Sequence, residues 1–285
     1  MKFLPFILLV FLTYSSTAAT DLKSYQIYTA EGKKSTFNKM LKVLSKKNYV
    51  FFGEEHDNAV SHWLQLELSQ QLYLIHKRKL ILGGEMFEAD NQYILNEYLS
   101  DYISPRNFQN EMRLWSNYNT DYKPLIELAK ARKIPFIASN IPRRYANMVY
   151  KKGLQSLENL SDLAKSFIVP INSFKFDSTV ACYKDMITME HGGLKMAQAQ
   201  AIKDATMAHF IYKNSNPTTH FLHYNGSYHS NNYEGIIHYL KQKVEMELIG
   251  SISTVNQDNI SELKKENEGL ANFIICVKSS VTKTH

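Results

Sequence analysis

The sequence predicts an α/β fold: a mostly parallel, doubly wound sheet with helices on both faces and an irregular or helical cap. Two observations carry that prediction. Short continuous apolar runs alternate with amphipathic helical stretches, the pattern of parallel strands buried on both faces and joined by crossover helices. Three of those runs end in polar, ligand-type residues. Open α/β sheets build their sites there, in the crevice beyond the carboxyl ends of the strands.

Taken in order, residues 24–29 read as a short strand and 35–45 as a helix with Phe37, Met40, Leu41 and Leu44 on one face. Residues 49–52 (Y-V-F-F) form a strand buried on both faces. A long helix follows over 58–77, where Leu64, Leu68, Leu72 and Ile75 make one core stripe. Residues 80–82 are the next buried strand. Helices are expected over 91–99 and 106–114, divided by Ser104-Pro105, and over 123–130, where Pro124 suits a first turn. Residues 134–138 are a strand and 143–150 a helix. Residues 153–191 carry no clear periodicity, so 153–193 reads as a cap or lid insertion. A helix over 194–212 follows. Ala197, Ala201, Ala205 and Ala208 give it a small-residue stripe for close packing, and Gln200, Asp204 and Met207 share a second face. Strands over 220–223, 247–252 and 273–277, with a helix over 234–241, complete the chain.

Composition narrows the class. The 285 residues, 44% of them hydrophobic, suit one large globular core. Residues 1–19 resemble a secretory signal: Lys2 is the positive start, 3–12 the apolar region, and Thr17-Ala18-Ala19 the small residues for cleavage. The apolar region is too short to span a bilayer. The mature chain, 20–285, is therefore expected to be a single exported domain, periplasmic or extracellular, with no transmembrane span. No Cys stands beside the cleavage point, so it is not a lipoprotein by this sequence. The net charge of +6 comes without a Lys/Arg run interleaved with aromatics, so no nucleic-acid face is expected. Gly-x-Gly-x-x-Gly and Walker loops are missing, which leaves nucleotide binding without support. Cys182 and Cys276 can pair in an oxidising compartment, although spacing alone does not require it.

The candidate site comes from the three strand ends. Gly53-Glu54-Glu55-His56 and Gly226-Ser227-Tyr228-His229 repeat a Gly-x-x-His pattern, and Gly83-Gly84-Glu85 brings a further acid. Glu54, His56, Glu85 and His229 are types that ligate a divalent metal such as Zn, Mn or Co. The same types transfer protons without a metal. Glu54 is preferred over Glu55 because it shares strand parity with His56. The competing reading makes Glu54 or Glu85 a helix N-terminal acid. His223, inside its strand, reads as a satisfied core histidine. His62, His76, His209 and His238 read as surface or packing residues. Asp204 or Gln200 is expected near the crevice.

Gly53-Glu54-Glu55-His56-Asp57-Asn58, Gly84-Glu85-Met86-Phe87, the A-Q-A-I-K-D-A-T-M-A segment at 199–208 and H-Y-N-G-S-Y-H-S at 223–230 occur in this order. Together they resemble the ChaN-type haem-binding uptake proteins, in a superfamily with Tiki metalloproteases and erythromycin esterases. The resemblance covers nearly the whole mature chain. It implies an exported bacterial envelope protein of iron uptake that binds haem through Tyr and His, sometimes as a homodimer. It also implies that His56 and His229 match the Tiki metal site, and that Glu54 and Glu85 match acids used as catalytic groups. Many ChaN-type proteins are lipoproteins, and this chain departs from them. For haem, Tyr183 and His191 are the candidate ligands, since Phe174, Phe176, Met186 and Met189 give their loop an apolar, aromatic surface. The alternative function is a metal-dependent hydrolase using the paired Gly-x-x-His motifs.

Overall fold

The computed structural model describes residues 22–285; the signal-like segment 1–19 lies outside them. Among the described residues, eight strands form one sheet: β1 (Tyr25–Thr29), β2 (Lys34–Ser35), β3 (Tyr49–Glu54), β4 (Leu80–Glu88), β5 (Phe136–Asn140), β6 (His220–Gly226), β7 (Ile249–Gln257) and β8 (Phe273–Lys278). Their order is β2-β1-β8-β7-β3-β6-β4-β5. The strands from β8 to β5 are all parallel, and β1 and β2 add an antiparallel edge. Strands β3, β6, β4 and β5 are consecutive and parallel in the sheet.

Side chains alternate across the sheet as strand geometry requires. Val50 and Phe52 of β3 join one apolar cluster with Leu222 of β6, while Tyr49 and Phe51 join a second with Phe221. The first face is covered by α1 (Phe37–Leu44), α2 (Ala59–His76), α3 (Gln92–Leu99), α4 (Pro105–Glu111) and α5 (Lys123–Arg132). The second face carries α6 (Arg143–Lys152), α7 (Asp162–Lys165), α8 (Ala181–Thr188), α9 (Leu194–Lys213) and α10 (Ile236–Leu240). Ala197, Ala201, Ala205 and Ala208 of α9 are all buried there, so the small-residue stripe does bring the helix close to the sheet.

Some boundaries move for local reasons. The strand expected from 134 begins at Phe136, because Lys133 turns left-handed (φ 54°) and Ile134 N–H caps α5 by donating to Ala129 O at 2.8 Å. That shift carries Ser139 and Asn140 to the strand end. The helix expected to reach 114 stops at Glu111. Residues 153–191 contain 3₁₀ turns and the short helices α7 and α8, whose apolar side chains pack into the second cluster. Cys182 and Cys276 are both free, one half-buried on α8 and one buried in β8, so the possible pairing is not formed.

Candidate functional site at the strand ends

Two adjoining networks meet where β3, β4 and β6 end. In the first, Glu54 is the last residue of β3 and is buried. Its Oε1 accepts from His56 Nδ1 at 2.8 Å and from the Tyr122 hydroxyl at 2.7 Å, and its Oε2 accepts from Gln65 Nε2. A carboxylate only accepts, so His56 Nδ1 carries the proton and Nε2 keeps a lone pair. The His56 side chain is 41% exposed and stands edge-on to Trp115. Burial alone would lower its pKa. The hydrogen bond to Glu54 and the charges of Glu85 and Glu54 outweigh that and raise it. The loop holding His56 is braced from behind: Asn117 Nδ2 and His62 Nε2 both lie 3.0 Å from the His56 carbonyl oxygen.

In the second network, Glu85 Oε1 lies 3.0 Å from His229 Nε2, and Glu85 Oε2 accepts from Gly226 N–H at 2.8 Å. The other face of the imidazole meets Asp204 through Nδ1, and the Tyr183 hydroxyl donates to Asp204 at 2.8 Å. Gln200 Nε2 lies 3.0 Å from His229 Nδ1. Burial would depress the His229 pKa, but Glu85 and Asp204 on either side outweigh it and push it up to about 10. Glu85 would be raised by burial; His229 reverses this and holds it well below the usual carboxylate range. Asp204 goes the other way, since its complete burial prevails over His229 and Tyr183. At neutral pH, His229 is therefore an imidazolium clamped between two acids, and Glu85 is the firmer anion.

The networks touch at Gly226. A Cβ there would lie 2.9 Å from His56 Nε2 and 3.6 Å from Glu85 Oε2. Glu54, His56, Glu85 and His229 are thus brought together, with Asp204 and Gln200 beside them. The strand-parity argument separates the two acids of the first motif, because Glu55 turns away to Asn256. Neither acid caps a helix through its side chain. The α2 cap is Asn58, whose Oδ1 accepts from Ser61 N–H at 3.0 Å, and Glu85 accepts from the β6 end. His223 is a satisfied core histidine, 2.8 Å from Ser139 Oγ and 3.1 Å from Asn225 Oδ1, with its pKa lowered to about 4 by burial.

Three expectations look different against the structure. The first is the divalent metal at His56, His229, Glu54 and Glu85. Among the described residues, no three His, Cys, Asp or Glu side chains are grouped to hold an ion. The physical reason is that the donors are spent on one another: both His229 nitrogens and His56 Nδ1 face carboxylates. The second is Tyr183 as a haem ligand. Its ring is fully buried and its hydroxyl is committed to Asp204; burial, then the Asp204 charge, push the phenol pKa far up, away from a phenolate. The loop's other candidate, His191, is exposed. The third is His62, read as a surface or packing residue. It is buried behind the site, 3.6 Å from Glu54 Oε2 and 3.5 Å from Asp121 Oδ2.

Sequence reasoning missed Gln65, Tyr122, Asn117 and Asp121. One signal was present: Ser61, Gln65 and Ser69 repeat at spacing four, and all three are fully buried polar residues on α2.

The architecture defines the class of protein: a doubly wound α/β sheet whose parallel strand ends carry a paired Glu–His site. The family model described as haem-binding uptake, Tiki superfamily, ChaN matches residues 40–240, and the chain belongs to that family. Three solved structures are similar in fold. The structure described as cofacial heme binding to ChaN of Campylobacter jejuni has a TM-score of 0.64 at 18% identity, covering 90% of this chain and 98% of the other. A protein from Bacillus cereus has a TM-score of 0.52 at 10% identity, covering 86% and 92%. An erythromycin esterase, EreC, in its open conformation has a TM-score of 0.50 at 11% identity, covering 88% and 97%. No curated protein matches the sequence. No helix among the described residues is long and apolar enough to cross a membrane.

Proposed function

We propose that this protein binds haem as an exported component of haem or iron uptake. The observation that carries the reading is membership of the haem-binding uptake family across residues 40–240. The signal-like segment at residues 1–19 supports export. Titrating haemin into the purified mature chain tests it. A shifted Soret band saturating near one equivalent per chain is expected, and haemin that keeps its free spectrum overturns the reading. Replacing the exposed His191 by Ala tests that residue as a ligand.

A second reading, hydrolysis without a metal, is favoured by the geometry of His56. Glu54 holds the Nδ1 proton, and the half-exposed Nε2 is left as a base of raised pKa. In such a step Nε2 takes a proton from water as the water oxygen attacks a carbonyl carbon. The proton then passes to the departing alkoxide. Its test is cleavage of a chromogenic ester by wild type and by Glu54→Gln and His56→Ala. Activity lost in both variants is expected, and activity retained in both removes the reading.

A further inference from the structure

The parallel sheet gathers charges that are scattered along the chain. Strands β3, β4, β6 and β7 start level with one another: Tyr49 stands opposite both Phe221 and Ile249, and Leu80 opposite His220. β5 starts two residues higher, opposite Leu82. The segments that lead into these five strands, 42–48, 73–79, 130–135, 212–219 and 241–248, therefore share one edge of the sheet. It is the edge opposite the crevice, and the six residues of β3 put about 20 Å between the two. Twelve of the chain's 33 Lys and Arg lie in these segments, against two of its 27 Asp and Glu. The edge thus carries a surplus of ten positive charges, and the rest of the chain is net −4.

We propose that this edge docks the protein on an anionic phospholipid bilayer, with its lysines and arginines on the headgroup phosphates and its exposed apolar side chains entering between them. The crevice then faces the aqueous phase. Docking there depends on neither the haem nor the hydrolase reading.

Three observations carry it. First, the cations are accessible: ten of the twelve are exposed, and Lys47 and Lys130 are half-buried. Among the described residues, only Lys130 of the twelve is held in an ion pair, with Asp101 at 2.7 Å. The ring of Tyr73 lies 5.4 Å from Lys77 and 5.5 Å from Arg132, so the basic ends of α2 and α5 adjoin. Cations favour helix C-termini, but that effect fades beyond the last turn. Lys46, Lys47, Arg78, Lys79 and Lys243 lie past the capping residues of their helices, so the helix dipole does not account for them. Second, apolar side chains stand open among these charges. Six of the fifteen large apolar side chains exposed among the described residues fall in these short segments. Leu74 and Ile75, 55% and 51% exposed, precede Lys77-Arg78-Lys79, and Met246 and Leu248, each 38% exposed, follow Lys243. A bilayer surface takes both kinds, cations at the phosphates and hydrocarbon at the acyl boundary. A nucleic acid would use the cations and leave aliphatic side chains without a partner. Third, the charge is divided by position. The net negative remainder of the molecule is repelled by an anionic surface, which turns the basic edge toward it.

The experiment is sedimentation of the mature chain with vesicles of phosphatidylcholine alone and of phosphatidylcholine mixed with phosphatidylglycerol. Binding to the mixed vesicles alone is expected. It should weaken steeply between about 0.1 M and about 1 M salt, as the screening length falls from about 10 Å to about 3 Å. Lys77→Gln/Arg78→Gln/Lys79→Gln should bind at least about tenfold more weakly, since each cation at an anionic surface contributes about fivefold. Arg143→Gln/Lys184→Gln/Lys195→Gln removes the same charge from the crevice half and should bind as wild type does. Leu74→Ser/Ile75→Ser should bind several-fold more weakly with every charge kept. All eight replaced side chains are exposed, so thermal unfolding that matches wild type separates lost docking from misfolding. No binding of wild type to the mixed vesicles overturns the proposal. Equal losses in the two triple variants overturn it as well, because net charge alone would then be acting. A DNA duplex bound as tightly as the mixed vesicles, with Leu74→Ser/Ile75→Ser unchanged on both, would overturn the bilayer and make the edge a nucleic-acid face.

Discussion

At the scale of single residues, the site depends on two positions without a side chain. A Cβ on Gly53 would meet two backbone atoms at 2.9 Å, Ile252 O and Ser227 Cα, and neither can move without shifting a strand or the turn after β6. At Gly226 the nearest atoms belong to His56, a half-exposed side chain that can swing aside. Gly53→Ala should therefore cost about 1–3 kcal/mol, the usual range for overpacking, and Gly226→Ala clearly less. Urea unfolding of both variants checks this, and equal losses would show that the His56 ring is as fixed as backbone. Tyr122→Phe addresses the buried acid directly. It removes a donor from Glu54, and a buried acceptor left short of a partner costs about 1–3 kcal/mol, to be read as a lower urea midpoint. The legible part of the site was the part written in short motifs. Glu54 and His56 are two apart on an extended chain, and parity alone puts them together. Tyr122 and Asn117 reach the site from a segment 60 or so residues on, and Tyr183 from farther still, so only the folded chain could assign them; in sequence they look like any other tyrosine or asparagine.

Elements set the stage for these contacts by where they stop. Helix α2 ends at His76, whose ring stacks on His220 at the start of β6 with centroids 4.1 Å apart. Nε2 of each ring is buried without a partner. The His220 pKa is lowered from 6.5 to about 3, by burial first and then by the His76 ring. The sign follows from linkage: the unfolded chain takes up this proton near pH 6.5, and the folded chain only near 3. The native state thus has its full stability from this group above pH 6.5 and loses it progressively down to about pH 3. The loss is bounded at about 5 kcal/mol. His220→Phe keeps a ring in the stack and removes the proton, so its stability should change less over that interval. An equal acid slope in the two proteins would place the sensitivity elsewhere. A second element-level feature is the strap formed by residues 283–285. Thr284 N–H donates to Asp57 O at 2.9 Å, its hydroxyl donates to Asp121 at 2.7 Å, and Lys283 pairs with Asp57 at 2.5 Å. Nothing in the sequence marks this contact, because strap and loop are more than 200 residues apart and polar residues near a terminus ordinarily face water. Removing 283–285 should raise hydrogen exchange at Asp57 and Asn58 while leaving the strand amides of β3 protected.

The described residues form one sheet shared by two large cores, with a small third cluster around Tyr28, Ile274 and Cys276, and the two-sided sheet was the most legible feature of the sequence. Continuous apolar runs such as Y-V-F-F have no polar side to turn toward water, so a sheet covered on both faces was the only economical solution. Coverage on both faces has a mechanical consequence. Phe51 and Phe52 are neighbours in β3, yet they belong to different clusters, so neither core can come apart without disturbing the strands that hold the other. Unfolding should then be a single transition even though the apolar clusters are separate. The two tryptophans make this testable, because both report on the first face: Trp115 packs against its cluster and Trp63 stands on α2 beside Tyr25. Ile202→Ala opens the second face on α9, far from either indole, and Leu68→Ala opens the first; each truncates a fully buried side chain at a cost of about 2–5 kcal/mol. If the sheet couples the faces, Ile202→Ala should lower the tryptophan-fluorescence midpoint in urea as much as it lowers the far-ultraviolet circular dichroism midpoint, and Leu68→Ala should do likewise. A fluorescence transition that stays at the wild-type midpoint in Ile202→Ala would mean that the α6–α10 layer unfolds by itself. The cap and α9 would then be a detachable half of the molecule.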